Sequence, residues 1–581
     1  MQEVSMELIH RTMQIGDVER SITHQFHISE DVNVPDSRED IVKVLQGYGN
    51  LHIEKIIPME QYLQVKGWVE YQILYATTDE DKRVLCMVGK LPLEEMVYVE
   101  GNMQNNSQDD ARYNVKCNQL DFHAVVIHSR KCSLKALVEL EVQRVSMHPQ
   151  SFTVDARDSN EYTNQYTNEY INKYTNEYTN KYTDEYTNRY TDEYTNECTN
   201  GYTNKTTRNV SSNILTKYKE VPILEFCAMK NDTYRIREEV KLPSTKENIG
   251  SIILSRMGNT KLETRVGDGA LLLHGEMELF CMYISDEWQV DYISQSVSFQ
   301  GRIDCHQMEE GMFHYLQYNI QDLDVNVQMD EDGEMRVLHV EAMVNMNVDI
   351  YQEQLTSILE DAYVLNQNAE LQKEPVYVES LVVQNQSKCK IVENVMVPEL
   401  RDEVLQICTS SGEVQVEHVE VVENGISIEG IVSVDMLYVK EDDECPYASW
   451  QGVVPFAHII ECATEKEIIK SVDSHLEQVS ISMTGNGEIE VKAVANFQSF
   501  IRRPQMIEVI SQVELRDFTK GEILADTGII GYIFKKDDDL WTLAKKYHTT
   551  VAGILNNNNI NENDINIGQK LLIFKENVSI L

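Results

Sequence analysis

A chain of 581 residues is too long for a single hydrophobic core, and ordinary domain sizes predict a division into about three to five domains. Its 95 acidic and 51 basic residues leave a formal charge of −44, which repels the phosphate backbone of nucleic acids and anionic lipid headgroups. The composition therefore argues against nucleic acid as a partner and predicts an acidic surface that keeps a large protein dispersed.

The eleven cysteines are scattered and never form a C-x-x-C pair, so the sequence suggests neither a disulfide framework nor a zinc site. A reducing cytoplasm fits this cysteine usage best. The start of the chain lacks a basic segment followed by an apolar one, and no apolar run approaches the roughly 18 residues of a membrane span. We therefore expect a soluble protein without a membrane span, not exported by the usual route, and without a cofactor or bound metal.

One pattern of proline, glycine and tyrosine occurs three times along the chain. The glycine follows the proline by 32 positions, and the tyrosine follows the glycine by 8. The three triplets are Pro35, Gly67, Tyr75; Pro243, Gly275, Tyr283; and Pro398, Gly430, Tyr438. Identical spacing in a chain with 11 prolines and 26 glycines is improbable by chance, so it predicts three homologous domains. We interpret the proline as a strand entry, the glycine as a turn or bulge position, and the tyrosine as the end of an apolar strand face.

The stretch after each repeat glycine alternates apolar and other residues with the period of a β-strand. The apolar face comprises Val69, Tyr71, Ile73 and Tyr75; Met277, Leu279, Cys281 and Tyr283; and Val432, Val434, Met436 and Tyr438. The opposite faces, with Glu276, Glu278, Ser433 and Asp435, are expected to face solvent. Further alternating segments and hairpin signals such as Asp332-Gly333 follow. The pattern predicts three tandem, mostly β domains of antiparallel, sandwich-like form, with one or two helical turns after each proline, at residues 38–45, 246–254 and 401–407.

A low-complexity tract, residues 160–204, separates the first two repeats. It repeats the tetrapeptide Tyr-Thr-(Asn/Asp)-x and therefore lacks the varied apolar side chains that build a packed core. We interpret it as a polar, disordered spacer. The alternative is an array of tyrosines that self-associates or adds strands, since alternation of polar and aromatic residues favours both.

The C-terminal segment, residues 531–574, predicts a small domain of βααβ order. Tyr532 opens a short strand, Asp538 or Asp539 can cap a first helix, and Thr550 can cap a second. A last strand covers residues 571–574. We place the three β domains at residues 1–150, 216–365 and 366–520, the tract at 151–215, and the C-terminal domain at 529–575.

No catalytic constellation is found in the sequence. Gly267-Asp-Gly269 lacks the context of a dinucleotide-binding loop, and no Walker A, H-E-x-x-H or G-x-S-x-G motif occurs. His458 and Cys462 could share a metal in principle, but on a predicted strand residues four apart lie about 13 Å apart, too far for one zinc. We therefore expect a protein that is not an enzyme.

The C-terminal segment resembles a LysM domain in the runs from Asp538 to Tyr547, from Thr550 to Ile554, at Asn558-Asn559 and from Ile567 to Ile573. The resemblance implies binding of N-acetylglucosamine polymers such as peptidoglycan, in a groove between the loop before the first helix and the loop after the second. The implied groove residues are Asp537, Asp538, Asp539, Leu540, Asn558, Asn559, Ile567 and Gly568. The family's first loop usually reads Gly-Asp-Thr/Ser-Leu, whereas this chain has Asp537-Asp538-Asp539-Leu540. The loss of a conformationally free glycine and the added carboxylates argue against ordinary glycan binding.

The three β repeats together with this C-terminal domain resemble the SPOCS-domain spore-coat morphogenetic proteins of endospore-forming bacteria. The resemblance implies a non-enzymatic coat-assembly adaptor in the mother-cell cytoplasm, at the forespore surface or in the spore coat. Its LysM domain would dock the scaffold ATPase of the coat's basal layer. The alternative is a protein anchored to the cell or spore wall by binding peptidoglycan. The Tyr-Thr-Asn tract lies outside the resemblance.

Overall fold

The computed structural model describes residues 6–18, 21–77, 84–99, 110–158, 214–401, 403–442, 445–463, 468–485, 487–519, 528–561 and 564–575. The strands of the first repeat are β1 (Met6–Val18), β2 (Ile22–Asn33), β3 (Lys43–Pro58), β4 (Tyr62–Ala76), β5 (Val84–Tyr98), β6 (Asp110–His128) and β7 (Lys131–Asp158). They form two packed sheets, β3-β4-β5 and β2-β7-β6, with β1 paired to the far half of β7.

The second and third repeats have the same two-sheet arrangement. The second comprises β8 (Ile214–Lys241), β9 (Ile249–Gly267), β10 (Ala270–Ser285), β11 (Val290–Asp304), β12 (Phe313–Met329) and β13 (Met335–Val364). The third comprises β14 (Gln367–Met396), β15 (Val404–Val422), β16 (Gly425–Lys440), β17 (Tyr447–Glu461), β18 (Ile469–Gly485) and β19 (Glu488–Asp517). All described strand pairs are antiparallel, so the predicted fold class is confirmed. We call the three sandwiches heads 1, 2 and 3.

Each head has a core built from the apolar face of its middle strand. Val69, Met277 and Val432 are fully buried at the same position of β4, β10 and β16. They pack against the inner face of the opposing sheet, for example Val138 and Leu140 of β7 in head 1. Burial of alternate residues on both sheets is the main source of stability for a sandwich of this kind.

The prediction of one or two helical turns after each repeat proline is wrong. The amides of Arg38 and Lys246 donate to the carbonyls of Pro35 and Pro243 at 2.9 and 3.0 Å, which closes one tight turn in each of the first two heads. In head 3 a single 3-10 turn covers Pro398–Leu400. Strands β3, β9 and β15 begin directly afterwards, because pairing with the middle strand outweighs the weak local helix preference of these residues.

Two of the domain boundaries predicted from the sequence fall inside strands of the structure. Strand β7 continues to Asp158 and β8 begins at Ile214, so residues 151–158 and 214–215, which the sequence assigns to the tract, belong to strands. Phe152 and Ala156 in this part of β7 are buried apolar residues, which explains why the strand continues. The remainder, residues 159–213 with the whole Tyr-Thr-Asn repeat, lies outside the described residues.

The long outer strands pair beyond the heads as three hairpins, β1–β7, β8–β13 and β14–β19. Their inward side chains form one apolar cluster, with Ile15, Ile223 and Val378 on the first strands of the hairpins. Phe152, Ile358 and Val509 add the matching side chains of the second strands. We call this shared six-stranded unit the stem.

At the end away from the stem, the three heads meet in a shared apolar cluster. Leu74, Met282 and Leu437, each seven residues after its repeat glycine, are fully buried together in a cluster that we call the junction. This contradicts the expectation that the outer faces of the middle strands face solvent. Glu276 is exposed, but Ser433 and Asp435 are half-buried, because the second half of each face packs against neighbouring heads.

Ion pairs also join the heads. Arg112 of head 1 donates to Asp349 of head 2 at 2.5 Å, and Lys116 of head 1 pairs with Asp473 of head 3. Burial alone would raise the pKa of Asp473, but the charges of Lys116 and His475 hold that pKa well below its usual range. The carboxylate therefore stays charged in the interface and holds the two heads together.

The C-terminal domain has the predicted βααβ order. It comprises β20 (Ile529–Ile533), α1 (Leu540–Lys546), α2 (Val551–Asn558) and β21 (Lys570–Phe574), with β20 and β21 antiparallel. The domain packs on the tip of the stem, where Tyr363 of β13 joins its apolar core. Within the described residues, no helix has the length and apolar character needed to cross a membrane.

Candidate functional site

The C-terminal domain is built around two short, capped helices. The Asp539 side chain accepts a hydrogen bond from the Thr542 amide at 3.0 Å and caps α1. The Thr550 hydroxyl accepts one from the Gly553 amide at 2.9 Å and caps α2. Helices of this length are marginal alone, so the caps and the buried side chains of Leu543 and Ile554 hold them in place.

The three consecutive carboxylates of the first loop have different environments. Asp538 accepts from the Tyr532 hydroxyl and from the Lys535 amide, both at 2.8 Å, and its proximity raises the pKa of Tyr532. Partial burial opposes ionisation of Asp539, but hydrogen bonds from Thr542 lower the pKa of its carboxyl. Asp537 is exposed. Two of the carboxylates therefore stabilise the loop, and the third is presented at the surface.

The second loop lies directly beside the first. The Gly568 amide donates to the Phe534 carbonyl at 2.7 Å, and the Phe534 amide donates to the Gln569 carbonyl at 2.9 Å. Gly568 has a φ of 87°, a left-handed value that favours glycine. Ile567 is 69% exposed. We call Asp537, Ile567 and Gly568 the groove rim.

The other implied groove residues have structural contacts. Leu540 is buried in the domain core. The Asn558 side chain donates to the carbonyls of Ile554 and Leu572 and accepts from the Leu572 amide, which fastens α2 to β21. Asn559 ends α2 in a left-handed conformation with a φ of 51°. Three of the eight implied residues thus lie on the two adjacent loops of the groove rim, and the rest maintain the domain.

A contact between the domain and the stem was not predicted from the sequence. The Trp541 indole donates to Asp361 at 2.8 Å, and the Lys545 ammonium donates to the same carboxylate at 2.5 Å. The Tyr363 hydroxyl donates to the Thr549 carbonyl at 2.7 Å, and its ring meets Trp541 edge-on at 5.0 Å. Trp541 is partly buried and also packs against the apolar core of the C-terminal domain. No local pattern marks Asp361, which is 180 positions away along the chain.

The repeat residues occupy the same place in each head and do not converge on one site. A Cβ on Gly67 would lie 1.9 Å from the His52 carbonyl oxygen, and one on Gly430 would lie 2.1 Å from that of Gln415. On Gly275 it would lie 2.2 Å from the Phe299 ring. The close approach of a neighbouring strand or ring therefore requires glycine here. The tyrosines, Tyr75, Tyr283 and Tyr438, are buried.

The repeat prolines have partners that sequence reasoning missed. The guanidinium of Arg130 donates to the Pro35 carbonyl at 2.9 Å, and that of Arg336 donates to the Pro243 carbonyl at 2.8 Å. In head 3, Pro398 begins the 3-10 turn, and the Val397 amide donates to the Gly487 carbonyl at 2.7 Å. Arg130 and Arg336 occupy equivalent positions in heads 1 and 2. An alignment of the repeats could therefore have identified this arginine as a partner of the repeat proline.

The histidine and cysteines show no ligand geometry. His458 lies 3.0 Å from the Ser387 hydroxyl and stacks on Phe497, whereas Cys462 packs against the head 3 core. All ten described cysteines are free thiols, and burial raises the pKa of Cys86 and Cys281 to about 12. Across the described ranges, no group of three His, Cys, Asp or Glu side chains could hold a metal ion.

The fold defines a multidomain β protein with three repeated two-sheet domains and a small C-terminal βααβ module. A family model described as SipL, SPOCS domain, matches residues 40–126, 248–328 and 403–484, and the LysM domain model matches residues 532–574. The chain is a SPOCS-domain protein with three such domains and a C-terminal LysM domain. The SPOCS matches end before β7, β13 and β19, so the second strands of the stem hairpins lie outside them.

These two families set the coarse function of the chain. Both are non-catalytic binding domains; the SPOCS domain indicates a protein related to the spore coat, and the LysM domain indicates binding to the wall polymer. No curated protein and no solved structure matches the chain.

Proposed function

We propose that the chain is a non-enzymatic adaptor of spore-coat assembly, whose LysM domain docks the coat scaffold ATPase at the forespore surface, in the mother-cell cytoplasm. The observation that carries the proposal is the chemistry of the groove rim. Asp537 presents a carboxylate and Ile567 an exposed aliphatic side chain. An apolar anchor beside a charge is typical of protein interfaces.

The position of the LysM domain supports an adaptor. Its α1 contacts the stem through Trp541 and Lys545, whereas Asp537 and Ile567 of the groove rim remain exposed. The stem strand from Val145 to Asp158 pairs with β1 along its length and spans about 40 Å at the usual rise per residue. The stem therefore separates the groove rim from the junction of the heads, and a partner at one end leaves the other end accessible.

The direct test is capture of the purified ATPase by the full chain. A variant with Asp537→Lys and Ile567→Ser removes both rim side chains without altering the caps or the stem contact, and we expect it to bind at least tenfold more weakly. Asp332→Lys, in the exposed β12–β13 turn of head 2, makes the same charge change elsewhere and should bind as the natural chain does. Undiminished capture by the rim variant, or by a chain lacking residues 529–581, would exclude docking through this domain.

Peptidoglycan binding is the second candidate. It is favoured by the LysM match itself and by the adjacency of the two loops, which Phe534 and Gly568 hold side by side. It predicts that the full chain sediments with purified peptidoglycan at moderate salt and that the rim variant stays in the supernatant. If both proteins stay in the supernatant, this candidate is excluded and the docking proposal is unaffected.

A further inference from the structure

Head 1 carries a group of exposed apolar side chains that the groove and the stem do not use. They lie where β3, β4 and β5 approach the stem end of the sheet, on its outer face, and Tyr62 pairs directly with Tyr98 across β4 and β5. The group comprises Ile57 (37% exposed), Met59 (44%), Tyr62 (43%), Met96 (40%) and Tyr98 (50%). We call it the head 1 patch.

The patch is held on a rigid support. The opposite face of the same strands contributes Leu63 and Val97 to the core, and both are fully buried. The Tyr62 and Tyr98 rings meet edge-on with centroids 5.5 Å apart, and the Met59 amide donates to the Tyr62 carbonyl at 2.8 Å. Side chains that are ordered before binding lose little conformational entropy when a partner covers them.

The other two heads serve as internal controls, because the register of their strands identifies the equivalent positions. Where head 1 has Tyr62 and Tyr98, head 2 has Ala270 and Asp304, and head 3 has Gly425 and Glu461. At the position of Met96, head 2 has Arg302 and head 3 has Ile459. The sheet thus tolerates small and charged residues here, so folding alone does not explain the aromatic pair of head 1.

The surroundings of the patch indicate what could cover it. Carboxylates outnumber ammonium groups among its charged neighbours, and two of the pairs are Lys55 with Glu54 and Lys66 with Glu94. The bordering charged residues are Glu54, Lys55, Glu60, Lys66 and Glu94, three carboxylates and two ammonium groups, on a chain whose formal charge is −44. Five partly exposed side chains present a few hundred Å² of apolar surface, a size that marks interaction sites, whereas stable dimers bury about 800 Å² per partner.

We propose that the head 1 patch, with its Tyr62–Tyr98 pair and carboxylate-rich border, binds a short segment of a partner protein that presents aliphatic or aromatic side chains flanked by lysine or arginine. This site is independent of the LysM groove and goes beyond the proposed docking of the ATPase. It gives an adaptor a second point of attachment, on a head rather than at the tip of the stem.

Three occupants from the chain itself fit less well. Residues 100–109, which follow β5, contain one large apolar side chain, Met103, and so offer little to cover five. The Tyr-Thr-Asn tract carries more carboxylates than cations, like the patch border. A second copy carries the same charge of −44, and the patch alone is too small for a stable dimer.

The test uses the full chain and a variant with Tyr62→Ala, Met96→Arg and Tyr98→Asp. These are the residues of head 2, so they suit the strands, and together they leave the net charge unchanged. The control variant carries Val453→Asp and Ile459→Arg, two exposed positions on β17 of head 3, and also conserves charge. Circular dichroism and the melting temperature check folding. If the triple variant unfolds, the single changes Tyr98→Asp and Tyr62→Ala replace it.

The probes are synthetic peptides of lysine and leucine, of lysine and serine, and of glutamate and leucine, with binding measured by fluorescence anisotropy. We expect the lysine–leucine peptide to bind the natural chain and the control alike, and to bind the triple variant at least tenfold more weakly. Equal binding to all three proteins, no binding to any of them, or equal affinity for the glutamate–leucine peptide would overturn the proposal. Self-association of the natural chain that the triple variant loses, seen by analytical ultracentrifugation, would overturn it in favour of a second copy.

Discussion

The buried ion pair between Glu379 and Arg502 stands where head 3 joins the stem. The two side chains are 4% and 1% exposed, and the guanidinium donates to the carboxylate at 2.9 Å. Leu224 of head 2 precedes its repeat proline by the same 19 positions as Glu379, and Tyr351 occupies the register position of Arg502, because it pairs with Phe226 as Arg502 pairs with Leu381. Leu224 and Tyr351 are both buried. An apolar pair can therefore occupy a site where head 3 has two charges.

Removal of one partner should be far more harmful than replacement of both. Glu379→Leu leaves the guanidinium buried without its carboxylate and should lower the free energy of unfolding by about 3–5 kcal/mol, since a single buried charge keeps its full desolvation penalty. The double variant Glu379→Leu, Arg502→Tyr restores the pair of head 2 and should recover most of that loss. Midpoints of urea denaturation measure both effects, and a double variant less stable than Glu379→Leu would contradict the account.

His314 should make the protein sensitive to mild acid. The residue is 7% exposed on β12, with its Nε2 2.8 Å from the Thr264 hydroxyl, and burial lowers the pKa of its imidazole to about 4. A base with a folded-state pKa below its ordinary value near 6.5 contributes stability that is complete above pH 6.5 and is lost as pH falls towards 4. The shift corresponds to at most about 3 kcal/mol.

The variant His314→Gln cannot take up this proton. We expect its free energy of unfolding to fall less between pH 6.5 and 4 than that of the natural chain, as measured by urea denaturation at each pH. All other titrating groups are common to both proteins, so the difference isolates His314. Equal pH dependence in the two proteins would mean that the imidazole has the same pKa in the folded and unfolded states, which would contradict the account.

At the scale of elements, the two strands that flank residues 159–213 end close together. Ala156 near the end of β7 and Ile214 at the start of β8 belong to one apolar cluster at the tip of the stem. The equivalent connection between β13 and β14 uses only residues 365–366. The described strands therefore do not need a long spacer between heads 1 and 2.

Replacement of residues 159–213 by Leu-Asn, the residues of the shorter connection, should leave the fold intact. We expect the melting temperature and the far-ultraviolet circular dichroism of the heads to change little, because loop length has a weak effect on stability and the stem contacts are kept. A control that replaces residues 365–366 by glycine and serine gauges the tolerance of the other connection. Loss of the cooperative transition in the tract variant alone would show that the tract has a structural role.

The sequence predicted the elements whose signals are local. The apolar inner faces of β4, β10 and β16 and the caps Asp539 and Thr550 depend on neighbouring residues, and the structure contains them as expected. The stem depends on pairing between strands that are far apart in sequence, such as Met6 with Asp158, and no local pattern specifies it. The two loops of the implied groove were also predicted from the sequence. The hydrogen bonds between the Asn558 side chain and the Leu572 backbone were not, because these residues lie on different elements.

For the whole molecule, the junction determines whether the heads stay together. Leu437→Asp places a charge among Leu74 and Met282, while the core of head 3 does not include this residue. We therefore expect the heads to separate while each remains folded, with a larger radius of gyration in X-ray scattering and little loss of β-sheet signal. Val453→Asp, on the next strand but 60% exposed, is the matched control and should scatter as the natural chain does. Unchanged scattering by Leu437→Asp would contradict a tightly packed junction.

The architecture also has a consequence for function. The junction joins the three heads, and the stem places the LysM domain at the opposite end, where Asp361 contacts Trp541 and Lys545. The proposed surfaces, the groove rim at the tip of the stem and the patch on head 1, are separate, as an adaptor between two partners requires. The proposed coat adaptor and a wall-anchored protein differ most clearly in where such a molecule accumulates.

The most direct test is to image a fluorescently tagged full chain in cells during sporulation, beside the variant with Asp537→Lys and Ile567→Ser. The adaptor account predicts a shell of fluorescence around the forespore for the natural chain and diffuse mother-cell fluorescence for the variant. Staining of the vegetative cell wall by the natural chain would contradict the account and support attachment to peptidoglycan.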